Sequence, residues 1–215
     1  MLDSLLLAAR PLLAPAFTLW GSPVTWLEVA AFVIAVAMVL ANLRVNPVGW
    51  PLAILSSLLY ALLFADSKLY GEATLQLFFV VVAFWGWWQW LRGTDSDGTA
   101  LRVHWMSRRA RWRALVLTLA AWPLLALLLM RLTDSDVPWL DALPTVASVC
   151  GQFLLGRKLV ENWAVWVGVN VFSIGLFAYK ALWLTVLLYA VFTLLAVVGW
   201  RVWKGMVREG DPESG

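Results

Sequence analysis

Glu161–Lys180 reads ENWAVWVGVNVFSIGLFAYK. The stretch is apolar enough for a membrane, yet it carries Asn162, Trp166, Asn170 and Ser173. A helix advances about 100° per residue, so these four side chains fall within roughly 80° of one another. One face offers amide, indole, amide and hydroxyl, while Val165, Val169, Phe172 and Leu176 clothe the others. An amide in lipid is costly unless something satisfies it. Such a stripe either packs against a neighbouring helix or lines a cavity.

The surrounding composition sets the solvent. Of 215 residues, 62% are hydrophobic and 13% charged, and the mean hydropathy is +0.80. Soluble domains are about 45–50% apolar and about 25% charged. The chain therefore reads as an all-α membrane protein with several spans. Its 16 Trp suit membrane interfaces, and they also suit a flat or cationic ligand. The lone Cys150 has neither a disulfide partner nor a metal-ligand partner, and it sits in an apolar run as a small core residue. A pI near 9.3 is read as topogenic charge in loops, with no nucleic-acid partner.

Seven spans follow from the apolar runs: Trp26–Leu43, Pro47–Ala65, Gly71–Leu91, Trp112–Arg131, Trp139–Gly156, Glu161–Lys180 and Ala181–Trp203. Residues 92–111 form a basic linker, 132–138 an acidic loop and 204–215 a polar tail. Residues 1–25 include LLLAARPLLAPAFTLW, broken by Arg10, Pro11 and Pro15. They lack the basic start and unbroken core of a signal peptide and read as an interfacial segment or a short extra helix. With the 92–111 linker inside, only Arg10, Lys68, Arg131 and Lys180 of the 16 basic residues lie outside. The positive-inside rule then predicts an outside N-terminus and an inside C-terminus.

The chain repeats itself. Asn46-Pro-Val-Gly-Trp50 matches Asn162-Trp-Ala-Val-Trp166 in its N-x3-W spacing, 116 residues apart. Lys68-Leu-Tyr70 matches Ala181-Leu-Trp183, and Gly86, Trp87 and Trp90 match Gly199, Trp200 and Trp203, each pair 113 apart. Residues 26–91 and 139–203 thus read as two three-helix units joined by an unmatched helix at 112–131. An odd helix between them makes the units parallel, a 3+1+3 arrangement of the SWEET type, whose sites lie between repeats near the midplane.

Span 5 carries a second stripe, Asp141, Thr145, Ser148 and Gln152. Span 2 offers Asn46, Trp50, Ser57 and Tyr60, span 3 Gln76, and span 7 Trp183 and Tyr189. Helix-helix packing is the ordinary role of any one such residue. Similar faces in both units point to a cavity lining. Catalysis lacks parts: the single His104 lies in the linker, and no deep carboxylate pair, His cluster or Cys/His set is present. The chain also lacks a P-loop and a deep acid, so ATP-driven or ion-coupled pumping is disfavoured, and no cofactor or metal is expected.

The ENW-x2-W motif at Glu161–Trp166, its Asn46–Trp50 counterpart, Lys68-Leu-Tyr70-Gly71 and the GWWQW run at Gly86–Trp90 resemble the PnuC family of nicotinamide riboside transporters. DALPTVASV from Asp141, Gln152 and the closing VLLYAVFTLLAVVGWRVW are similar to that family too. The likeness covers about Trp26–Trp203. It implies a SWEET-like fold, facilitated diffusion with trapping by a cytoplasmic kinase, a bacterial inner membrane and a homotrimer. Against that substrate, Trp166, Trp183 and Tyr189 would hold the pyridinium ring, with Trp50 as a counterpart. Asn46, Gln76, Gln152, Asn162 and Asn170 would take its polar edges. The alternatives are a carrier of thiamine, riboflavin or a deoxynucleoside, and a non-transporting sensor or scaffold.

Overall fold

A computed structural model describes residues 10–66, 70–95, 98–132, 138–179 and 183–209, without the side chains of 22, 70–72, 132, 177, 179 and 183–185. Lys68, Leu69, Lys180, Ala181, Leu182, most of the 132–138 loop, residues 210–215 and the Trp183 side chain lie outside the described residues; residues 204–209, expected to belong to a polar tail, instead continue the last helix. The chain forms two compact units, Met1–Trp85 and Gly86–Gly215.

The first unit begins with a surprise. Residues 15–25, expected to lie in an interfacial segment or short helix, pair as an antiparallel hairpin of β1 (Pro15–Leu19) and β2 (Ser22–Thr25). The helical run that covers residues 10–13 ends before Pro15, which starts the first strand. Trp20 and Gly21 then turn the chain with φ of 46° and 86°, the left-handed pair that matches strand twist in a two-residue hairpin. Thr25 caps the next helix. Its N–H donates to Glu28 Oε2 at 2.7 Å, and the Glu28 N–H donates back to Thr25 Oγ1 at 3.2 Å, a reciprocal capping box.

That helix, α1 (Trp26–Leu43), packs against α2 (Gly49–Asp66). Ser56, buried, donates its hydroxyl to Ala31 O at 3.3 Å. The small residues Ala31, Ala35 and Ala53 are buried alongside it, as expected where helices associate without a hydrophobic driving force. Helix α3 (Tyr70–Arg92) follows and carries its last turns into the second unit.

The second unit holds α4 (Arg108–Leu132), α5 (Pro138–Gly156), α6 (Asn162–Tyr179) and α7 (Trp183–Glu209). Among the described residues, five helices are long and apolar enough to cross a membrane, and Asn162–Leu176 is a shorter apolar helix. The fold is helical throughout its spans, with the hairpin as an N-terminal addition.

The linker between α3 and α4 is docked onto the α5–α6 corner. The His104 N–H donates to Lys158 O, and the Val160 N–H donates to His104 O, at 3.2 and 3.1 Å. Glu161 receives the Met106 N–H at 3.1 Å and pairs with Arg111 Nε at 2.7 Å. The aromatic run at the end of α3 divides. Trp88 stays 56% exposed, as an interface belt requires, but Trp90 is buried. Trp90 packs 6.2 Å from Trp203, which meets Trp163 edge-on at 5.5 Å, and its Nε1 donates to Leu155 O at 3.0 Å. Lys158 lies 5.3 Å over the Trp90 ring and donates to Leu101 O. Burial lowers its ammonium pKa from the ordinary lysine value, against the opposing pull of Asp95.

The two helix corners are copies of each other. At the first, the Asn46 N–H donates to Ala41 O at 3.0 Å and the Val45 N–H to Asn42 O at 3.1 Å. At the second, the Leu159 N–H donates to Leu154 O at 3.0 Å and the Lys158 N–H to Leu155 O at 2.9 Å. Both are Schellman caps, and Val45 and Lys158 each adopt φ of 53° in the left-handed position. The next helices then start from the N–H groups of Gly49 and Trp50 at one corner, and of Asn162 and Trp163 at the other. The offset is 113 residues throughout. Trp50 thus corresponds to Trp163, not to Trp166 as the N-x3-W spacing suggests.

Gly199 is required by this packing, because a Cβ there would overlap the Trp163 ring, whereas one at Gly205 meets nothing within 4 Å. Gly199→Val should cost about 1–3 kcal/mol by overpacking, read as a lowered melting temperature in detergent. Gly205→Ala should leave the melting temperature unchanged or slightly raised.

Candidate functional site

Helix α6 is polar inward and apolar outward. Asn162, Asn170 and Ser173 are buried at 0%, 4% and 3% exposure, and Trp166 is half-buried. Ala164, Gly168, Val171 and Gly175, on the opposite arc, are exposed. A soluble helix shows the reverse order, so α6 presents its carbon surface outward and its amides to protein. The helix carries no charged residue.

The amides are only partly satisfied. Asn162 Nδ2 donates to Leu159 O at 2.6 Å, which ties the side chain to the corner. Its Oδ1, Gln152 Oε1 on α5 and Trp163 Nε1 are buried without a hydrogen-bond partner among the described residues. Such groups cost about 1–3 kcal/mol each when unmet, and native structures keep few of them. Two acceptors and a donor on α5 and α6 are thus left without partners among the described residues. Trp166 reaches the same pair: a Cβ on Gly151 would lie 3.2 Å from its Cε2, so the indole covers the backbone beside Gln152.

The expected site residues divide between the units. Gln152, Asn162, Trp166 and Asn170 share the α5–α6 pair, and Tyr189 stands on α7 with its ring 6.3 Å from Phe192. The Trp183 side chain lies outside the described residues. In the first unit, Trp50 is buried and Gln76 half-buried. Asn46 is exposed in the corner, where its Oδ1 accepts the Val48 N–H at 3.0 Å. Of the span 5 stripe, Thr145 donates its hydroxyl to Asp141 O at 2.8 Å and is locally satisfied. Trp163 was not singled out by spacing. Its signal was the constant offset of 113 from Trp50. Among the described residues there is no group of His, Cys, Asp and Glu that could hold a metal ion.

Comparison with known proteins gives matches over most of the chain. The family model described as nicotinamide mononucleotide transporter matches residues 25–205. The nicotinamide riboside transporter PnuC of Escherichia coli (strain K12) is 26% identical over 214 residues, covering 88% of this chain and 89% of its own. The riboflavin/roseoflavin transporter RibM of Streptomyces davaonensis is 28% identical over 195 residues, covering 87% and 89%. A crystal structure of the vitamin B3 transporter PnuC superposes with a TM-score of 0.72 at 25% identity, covering 86% of this chain and 83% of that one.

Gln152→Met keeps the volume of the side chain and removes the unmet acceptor. Its melting temperature should equal or exceed that of the parent, by up to about 1–3 kcal/mol of relieved desolvation. A clear loss of stability would mean that Gln152 is satisfied within the fold.

Proposed function

Since the chain belongs to the nicotinamide mononucleotide transporter family, we propose that it carries nicotinamide riboside across a membrane by facilitated diffusion with alternating access. The observation that carries this reading is the inward polar face of α6, with Asn162 Oδ1 and Gln152 Oε1 buried and unmet among the described residues. Carboxamide and ribose hydroxyl groups are donors of the kind these acceptors lack. Trp166, Tyr189 and Trp183 supply rings for a pyridinium cation, an attraction worth about 0.5–2 kcal/mol. Trp50 and Gln76 are further candidates in the first unit, with Asn46 in the corner before α2.

Charge selects the riboside over its phosphate. No Lys or Arg lies on α6; Arg111 is engaged by Glu161 and Lys158 by Leu101 O and the Trp90 ring, while Arg157 lines a separate cavity that holds none of the candidate substrate residues. A phosphate here would lose its hydration without a cationic partner. The substrate is therefore neutral or cationic, and phosphorylation in the cytoplasm traps it. A second reading, a riboflavin-type substrate, is favoured by the 28% identity to RibM, since the same rings accept any flat heterocycle.

The two matching corners support a 3+1+3 parallel repeat of seven spans, with residues 26–91 and 139–203 as the units and α4 joining them. In carriers of that type the site lies between the repeats near the midplane. The basic linker and C-terminus are placed in the cytoplasm of a bacterium, the N-terminus outside the inner membrane, and the assembly is a homotrimer. The protein works as a carrier, without catalysis of its own.

Uptake of radiolabelled nicotinamide riboside into proteoliposomes tests this. The parent protein should equilibrate the label without concentrating it. Asn162→Ala and Trp183→Ala should each slow uptake about tenfold, the 1.4 kcal/mol of one lost interaction, while retaining the parent gel-filtration profile. Unchanged uptake in both variants, or accumulation above the external concentration without a kinase, would contradict the reading.

A further inference from the structure

A cavity of about 730 Å³ opens in the second unit between α4, α5 and the docked linker. None of the candidate substrate residues lines it. Its floor is apolar, where buried Met106, Leu154 and Leu159 pack against Ala110, Ala114 and Cys150. Its charge is confined to one end. Arg113, at the start of α4, and Arg157, just past the end of α5, both line it, as does the linker at His104–Ser107. Neither guanidinium group has an ion-pair or hydrogen-bond partner among the described residues, and the Arg157 backbone N–H donates to Phe153 O. Ala121 and Val146 line the cavity farther along α4 and α5.

The dimensions match one leaflet. Arg113 to Ala121 spans about 12 Å at 1.5 Å per residue. Half of a hydrocarbon core is about 15 Å. The wall is lipid-facing as well, since only 6% of the apolar stretch of α4 is buried. A second copy of α4 is a poor occupant, because that helix contains arginines and no acid and would bring like charge to the basic end. Unpaired guanidinium groups at headgroup level call for an anion attached to a chain.

We propose that this groove is a binding site for a phospholipid with an anionic headgroup. Its phosphate is held by Arg113 and Arg157, and an acyl chain lies along Leu117, Val146, Cys150 and Phe153. The site depends on the membrane reading of the chain and is independent of the transported substrate. Because the lipid touches α4, α5 and the linker at once, it also fastens the linker to the membrane surface.

The single cysteine of the chain, Cys150, lines the groove and reports on its occupancy. Purified, delipidated protein in neutral detergent is treated with N-ethylmaleimide, with added phosphatidylglycerol, phosphatidylcholine or inorganic phosphate. Phosphatidylglycerol should slow alkylation several-fold more than phosphatidylcholine, and inorganic phosphate should not protect. The Arg113→Gln/Arg157→Gln double variant should lose the preference. Arg113→Lys/Arg157→Lys should retain part of it, and Arg109→Gln, outside the groove, all of it. Equal protection by both lipids would overturn the proposal, as would an equal loss in the Arg109→Gln variant. So would protection without lipid that grows with protein concentration, which would assign the groove to a second copy of the chain. Nicotinamide riboside binding, measured in parallel, is expected to be the same in the double variant. Its failure in the parent protein would count against the transport reading alone.

Discussion

The corner between α5 and α6 is the constraint on which the second unit depends. A helix inside lipid must satisfy its own backbone ends. Here Leu155 and Leu154 spend their carbonyls on the N–H groups of Lys158 and Leu159. Lys158 is thereby held at φ of 53°, a conformation that a non-glycine residue keeps only when its surroundings over-determine it. They do: its N–H, its carbonyl and its ammonium are all engaged, the last by Leu101 O and the Trp90 ring. Leu155 O also receives Trp90 Nε1, so α3 ends on the same corner. The chain then leaves it at Asn162, whose amide nitrogen is tied to Leu159 O. The polar face of α6 is therefore aimed by the corner, not by its own helix propensity.

Much of this was legible in the chain, because membrane spans are long apolar runs and helix ends follow charge and proline. The Trp26–Leu43 helix has the bounds its composition suggests. The hairpin was not legible. Its turn is Trp20-Gly21, without the Asn-Gly or Asp-Gly pair that marks such turns, and its strands alternate poorly. The repeat was visible, and two of its three matches carried the 113-residue register, but the N-x3-W match gave 116. Comparing residue types pairs Trp50 with Trp166, whereas counting backbone hydrogen bonds pairs Trp50 with Trp163. The same distinction explains Asn46. It looks like a site asparagine by spacing, yet its amide oxygen serves the turn. The aromatic run at the end of α3 reads as an interface belt in sequence, because composition cannot show that Trp90 turns inward while Trp88 faces out.

The account joins stability to function through unmet hydrogen bonds. Asn162 Oδ1 and Gln152 Oε1 are expensive groups to bury. A scaffold would gain by replacing them with carbon. In the proposed carrier the guest would complete them, and a guest held by few neutral contacts could also leave. Neutrality at this face is as informative as polarity. Under the proposed function its amides and indoles would suit an uncharged sugar and a flat ring.

The most direct measurement is an isothermal titration of the purified protein with nicotinamide riboside and with its phosphate. The account predicts saturable binding of the riboside, weakened by Asn162→Ala, and at least tenfold weaker binding of the phosphate, about 1.4 kcal/mol or more. Equal or tighter binding of the phosphate would contradict a neutral site walled by α6.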